Sequence, residues 1–269
     1  MTIPEALSYI PATLWVVFAF IIGLLFGSFA NVVIYRLPKG KSIVNPPSFC
    51  PSCQRRLAAI ELIPVISWLL LRTRCRSCKT KISSRYPIAE LMCGALFASM
   101  AYFTPTLSAI MLCIFAFILL VVSFIDWDTQ EIPDGLLITG TITGVLWVAL
   151  GHFLPELFPH APLWHNALLG AVAGAIPLLV IDRISIWILK KDGFGYGDVK
   201  LMAMIGLFLG WQLTLGVFFF AFVSGGMFAT YLLLRRKAKR GEYMAFGPFL
   251  CAGAVLVFWL GEWLFSRLV

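Results

Sequence analysis

Residues 106–137 read TLSAIMLCIFAFILLVVSFIDWDTQEIPDGLL, and this stretch decides the architecture. Residues 106–125 carry no charge and are long enough to cross a hydrocarbon layer of about 30 Å at about 1.5 Å of helix rise per residue. Four carboxylates follow at once, Asp126, Asp128, Glu131 and Asp134, before the next apolar run begins. The run reads as a membrane span, and the acids lie where lipid meets water.

Outward from this stretch the pattern repeats. Further apolar runs cover 12–35, 86–104, 135–154, 166–189, 198–211, 213–234 and 245–265, which predicts an all-α polytopic membrane protein of about eight transmembrane helices. Composition agrees, because a chain that is 60% hydrophobic and 13% charged, with mean hydropathy +0.91, has too little charge to cover a water-exposed surface. The run at 12–35 is too long for the apolar core of a signal peptide and is read as a retained span.

The basic residues orient the spans. Eleven of the 21 lie between Arg36 and Arg85, and others gather at Lys190, Lys191, Lys200 and from Arg235 to Arg240. The positive-inside rule makes these segments cytoplasmic, puts 155–165 outside and leaves both termini periplasmic. The net charge of +8 is then a signal of topology, with a further pull toward anionic membrane lipid and no indication of nucleic acid. All three histidines, His152, His160 and His165, fall in or beside the outer loop, so neither a histidine triad nor a His-Glu-x-x-His zinc site is available on the inner face. Catalysis there has to rest on carboxylates.

Three parts follow: a first transmembrane helix at 1–35, a small cytoplasmic module at 36–85, and a membrane region at 86–269. The module holds CPSC at 50–53 and CRSC at 75–78, two Cys-x-x-Cys pairs 21 residues apart. Cys50, Cys53, Cys75 and Cys78 match a four-thiolate zinc site of structural type, since four sulfurs leave no open position for water or substrate. Four reduced thiols without metal, or two vicinal disulfide-type pairs, are the competing readings, and disulfides do not persist in the cytoplasm. Within the module ELIPVISWLLL, 61–71, is too short to span, contains Pro64, and reads as a helix lying in the interface with Trp68 at headgroup depth.

Among the acids, Asp134 after Pro133 and Asp198 after Gly197 are placed as helix N-caps. Asp126 differs, because it follows an uninterrupted apolar run at a depth where a charge is costly and marks function. With Asp198 it can form a dyad in which one carboxyl holds a proton while the other activates water. Gly193, Gly195 and Gly197 would let the backbone turn sharply and admit a peptide beside Asp198. Asp182 and Arg183 interrupt the fifth run and are expected to face protein or to pair with other residues. Gly170 and Gly174, with Gly206 and Gly210, have the spacing of close helix packing.

These residues together resemble the type IV prepilin peptidases. The resemblance rests on GSFANVVIYRLP at 27–38, the two cysteine pairs, SSRYPIAEL at 83–91, IDWDTQEIPD at 125–134, GYGDVKLMAMIG at 195–206 and FGPFL at 246–250, and covers nearly the whole chain. It implies an inner-membrane aspartic peptidase that removes short basic leaders from prepilins and type II secretion pseudopilins, then methylates the new N-terminus with S-adenosylmethionine. By motif the catalytic acids are Asp126 and Asp198. The methyltransferase activity is tied to the early inner segment, which makes Asn31, Arg36, Glu61, Arg85 and Glu90 candidates for cofactor or substrate contact. No glycine-rich nucleotide loop is visible in 36–85. A peptidase without methyl transfer, whose zinc module is structural or recognises substrate, is the alternative. A proton-coupled transporter is disfavoured, because the acids cluster at one face.

Overall fold

The computed structural model describes residues 12–104, 106–190, 194–235 and 244–268. Gly193 and Asp192 of the glycine stretch, Lys191, and the basic cluster beyond Arg235 lie outside the described residues. Every element of regular structure among them is helical: α1 (Ala12–Arg36), α2 (Ile66–Leu70), α3 (Arg85–Phe103), α4 (Ser108–Thr129), α5 (Asp134–Phe153), α6 (Trp164–Leu189), α7 (Tyr196–Leu234) and α8 (Gly247–Leu268), with short 3-10 turns at Leu37–Lys39 and Ala59–Leu62. The helices from α1 and α3 through α7 are each long and apolar enough to cross a membrane.

The expectation of eight spans meets its subtlest point at α7. A continuous helix of 39 residues would be about 58 Å long at about 1.5 Å per residue, roughly twice the hydrocarbon thickness. It is not continuous: Gly210 has φ 76° and ψ 171°, a conformation open only to glycine, and it divides the element into two helices that correspond to the expected runs 198–211 and 213–234. With α8 the chain therefore has about eight spans and is an all-α polytopic membrane protein. The helix expected over 61–71 is corrected to a 3-10 turn and the five-residue α2, with Pro64 between them.

The chain divides into two compact units, Met1–Val121 and Val122–Val269. In the first, α1 packs along α3. A side chain at Gly23 or Gly27 would meet the α3 backbone within 2.8 Å, so the two helices touch main chain to main chain. In the second, α6 and the first half of α7 approach in the same way. A Cβ at Gly170 would lie 2.2 Å from the Gly206 carbonyl oxygen, and one at Gly174 would lie 2.3 Å from that of Met202. This is the packing role expected of these glycines, and in a membrane, where lipid gives no hydrophobic drive to helix association, such dispersion contact carries much of the cohesion. Trp147 of α5 is fully buried and donates its indole N–H to the Phe208 carbonyl of α7 at 3.3 Å.

Candidate active site and thiol module

Two places in the chain gather chemistry, one in each unit. The first unit contains a repeated knuckle. Residues 49–56 and 74–81 are related by a shift of 25 positions: Cys50 and Cys75 each donate their N–H across a turn, to Arg55 O at 2.9 Å and Thr80 O at 2.9 Å, and accept from Gln54 and Lys79. Gln54 and Lys79 both adopt positive φ, 58° and 60°, and single antiparallel bridges, Phe49 to Arg56 and Arg74 to Lys81, close both turns. The repeat presents four sulfurs to one point. The Sγ atoms of Cys50, Cys53, Cys75 and Cys78 all lie within 4.8 Å of one another, with Cys50 and Cys78 3.8 Å apart.

That spacing suits a tetrahedral ion with metal–sulfur bonds of about 2.3 Å, so the group can hold a metal. The surroundings favour thiolates at two of the four. The Thr80 hydroxyl and amide beside Cys78 bring its thiol down to about 6, and the backbone amides of Cys78 and Ser77 hold Cys75 below the usual thiol range.

Beside the knuckles lies a cavity of about 380 Å³ whose walls include Asn31, Arg36, Glu61 and Glu90. Four of the five residues expected to contact cofactor or substrate thus share one cavity, whereas Arg85 is not among its lining residues. Internal bonds already engage all four. Asn31 Nδ2 donates to the carbonyls of Gly27 and Tyr86, and buried Arg36 donates to those of Ser42 at 3.1 Å and Pro47 at 3.4 Å. Glu61 accepts from Arg55 at 2.6 Å and from the Ala58 amide at 2.9 Å, and the guanidinium holds its carboxyl below the usual range. Glu90 accepts the Val65 N–H at 2.7 Å and so anchors a β-branched residue with φ 60°. Aromatic walls complete the cavity with Tyr35, Trp68 and Tyr86, the indole of Trp68 being tied to the Ile82 carbonyl.

The second unit holds the acids. Asp126 is buried near the end of α4, and its Oδ2 accepts the N–H of Gly247, first residue of α8, at 2.9 Å. A helix start offers unpaired amides and the positive end of a dipole, a natural seat for a carboxylate. Glycine is needed for this approach, since a Cβ there would lie 2.8 Å from the same oxygen. Pro248 is tolerated because the first turn needs no amide from it.

Asp198 is the third residue of α7. Its carboxyl is within electrostatic reach of that of Asp126. Asp198 Oδ1 is buried and accepts no hydrogen bond from the described residues. An oxygen left in that state is costly unless something is received there.

The capping roles expected of the acids are corrected. Gly195, extended at φ −71° and ψ 147°, is the N-cap of α7, three positions before Asp198, and no side chain caps it. Asp134 is itself the first residue of α5 after Pro133, and its carboxylate meets Lys200 at 2.6 Å. The sharp turn expected at the glycines is corrected for the two that are described, since neither has positive φ. Gly197 is required by Ile132, 3.0 Å from where a Cβ would stand, while at Gly195 a Cβ would meet only the Asp198 side chain at 3.7 Å and the Gly197 amide. Glycine there keeps space beside the acid. Sequence reasoning missed the Gly247 amide; the signal was the Gly-Pro pair opening an apolar run.

By class this is a polytopic helical membrane protein with two aspartates gathered at helix ends and a separate four-thiol module. Residues 21–104 match the bacterial peptidase A24 N-terminal domain, and residues 113–230 match the type IV leader peptidase family. The chain belongs to the type IV leader peptidase family. It is 36% identical over 272 residues to the prepilin leader peptidase/N-methyltransferase of Stutzerimonas stutzeri, covering 91% of each chain. It is 34% identical over 286 residues to that of Pseudomonas putida, covering 97% of this chain and 96% of the other. The one from Myxococcus xanthus is 38% identical over 223 residues, 82% of this chain and 64% of its own. No solved structure matches the chain at a significant level.

Proposed function

We infer that this protein cleaves the short basic leader from type IV prepilins and type II secretion pseudopilins, and then methylates the new N-terminal amine. The observations that support the peptidase reading are Asp126, buried with one oxygen held by the Gly247 amide, and Asp198, whose buried Oδ1 has no hydrogen-bond partner among the described residues; we read the two as a pair. One carboxyl of the pair holds a proton and the other does not. The ionised carboxylate takes a proton from water as that water attacks the scissile carbonyl. The protonated partner gives its proton to the departing amine, so the pair ends with the same single proton.

The basic residues at 36–85 support a bacterial inner membrane location with this site at the cytoplasmic face and both termini periplasmic. A prepilin then keeps its basic leader in the cytoplasm and its apolar segment in the lipid. The same residues can draw the module at 36–85, the methyltransferase region, onto anionic lipid, and 86–269 serves as the peptidase domain.

S-adenosylmethionine supplies an electrophilic methyl group on a sulfonium cation. The cavity of the first unit suits such a ligand in chemistry: Glu90 offers a carboxylate, and Tyr35, Trp68 and Tyr86 offer aromatic faces that attract cations. Asn31, Arg36 and Glu61 shape the walls. Zinc on Cys50, Cys53, Cys75 and Cys78 would hold the module's two knuckles together, with no open coordination position for chemistry.

Incubation of the full-length protein in detergent with a prepilin peptide and methyl-labelled S-adenosylmethionine tests both halves. The expected result is a shortened peptide carrying label on its new N-terminus. Cleavage without label would leave the peptidase reading and remove the methyltransferase one.

A further inference from the structure

Asp182 and Arg183 stand out in α6, an apolar helix that the reaction does not use. Asp182 is buried, 4% exposed, and its Oδ1 accepts the Phe194 N–H at 3.4 Å. Arg183 donates to the Tyr196 hydroxyl. Both contacts grip residues 194–196, immediately before Asp198, and α6 is itself fixed to α7 by main-chain packing at Gly170 and Gly174.

From this grip two routes lead to the acids. The Gly195 carbonyl accepts the Asp198 N–H at 3.0 Å, which ties the backbone of the acid to the gripped segment. The Phe194 ring meets Phe246 at a centroid distance of 5.0 Å and Phe222 at 6.1 Å, while Phe222 meets Phe246 at 5.5 Å. Phe246 directly precedes Gly247, whose N–H holds Asp126. One buried carboxylate therefore braces the supports of both acids.

We propose that Asp182, with Arg183, is a positioning residue that sets the relative placement of Asp126 and Asp198. It touches neither substrate nor reacting atoms. The contribution proposed for it is the hydrogen bond it accepts from the Phe194 N–H, not a proton passed in transit, and this separates it from a relay. The inference rests on the peptidase reading of the acid pair.

Asp182→Ala should lower the kcat of prepilin-peptide cleavage on the order of 10²-fold with KM changed little, because a displacement of about 1 Å in such a pair costs that much. The pH profile should also move, since the spacing of two coupled carboxyls sets their apparent ionisations. Asp182→Asn keeps the acceptor and should restore most of kcat and the wild-type profile. A kcat for Asp182→Ala near that of wild type, or Asp182→Asn as impaired as Asp182→Ala, overturns the proposal. Should Asp182→Ala fail to accumulate in membranes, Tyr196→Phe takes its place, with a several-fold drop in kcat expected and an unchanged kcat and profile overturning the clamp. Asp126→Asn measured alongside keeps the two ideas apart: activity there sinks the acid-pair reading, whereas a dead Asp126→Asn beside fully active clamp variants sinks the clamp alone.

Discussion

Gly247 shows how one missing side chain shapes a site. Replaced by alanine, its Cβ would stand 2.8 Å from Asp126 Oδ2, so either the carboxylate or the start of α8 must shift, and the 2.9 Å bond is lost. Cleavage by Gly247→Ala should fall at least tenfold in kcat, by the sensitivity of paired catalytic groups to sub-ångström placement. Asp134→Ala is the contrast. It removes an exposed ion pair with Lys200, so stability should change by about 0–1 kcal/mol and cleavage should persist. Thermal melts and initial rates on the two variants check both.

Glu61 gives a pH signature. Arg55 holds its carboxyl below the usual range, so its contribution to stability is present above the unfolded-state value near 4.5 and disappears as pH falls through the lower folded-state value. The difference in melting temperature between wild type and Glu61→Gln should therefore be steady from pH 8 to 6 and vanish in acid. A difference that grows on acidification would refute this account. The unusual position of Asp126, a buried carboxyl at the end of an unbroken apolar run, was legible in the sequence. The capping roles were misjudged for a local reason: a proline or glycine upstream can itself start the helix, which leaves the acid one or three places inside.

At the scale of the element, apolar runs translated directly into helices. The run 106–125 became Ser108–Thr129, and 166–189 became Trp164–Leu189. The division of α7 was anticipated, but its cause, the positive φ of Gly210, was not visible in hydropathy. Gly210→Ala should cost about 1–3 kcal/mol, since that conformation is open to glycine alone. Expression and thermal stability in detergent measure it, and a neutral effect would mean that the helix can straighten. The cavity of the first unit escaped sequence reasoning for a different reason. Its walls come from α1, the segment 57–71, the knuckle turns and α3, and no spacing rule links Asn31 to Glu90.

Across the whole molecule, the two kinds of chemistry belong to two compact units. The thiol module was legible because its spacing repeats, and the repeat extends to backbone detail at Gln54 and Lys79. Protein prepared without chelator should carry about one zinc per chain, as expected of a four-thiolate site. Cys50→Ser should release the metal and destabilise the module, and metal analysis that finds no zinc in the wild type would remove that assignment.

Separation of the activities is the direct test of the account. In full-length Asp126→Ala the acid pair is broken while the cavity of Asn31, Arg36, Glu61 and Glu90 is untouched. This variant should fail to cleave a prepilin peptide, yet transfer labelled methyl to a peptide supplied with its leader already removed. Full cleavage by Asp126→Ala would contradict the account at its centre.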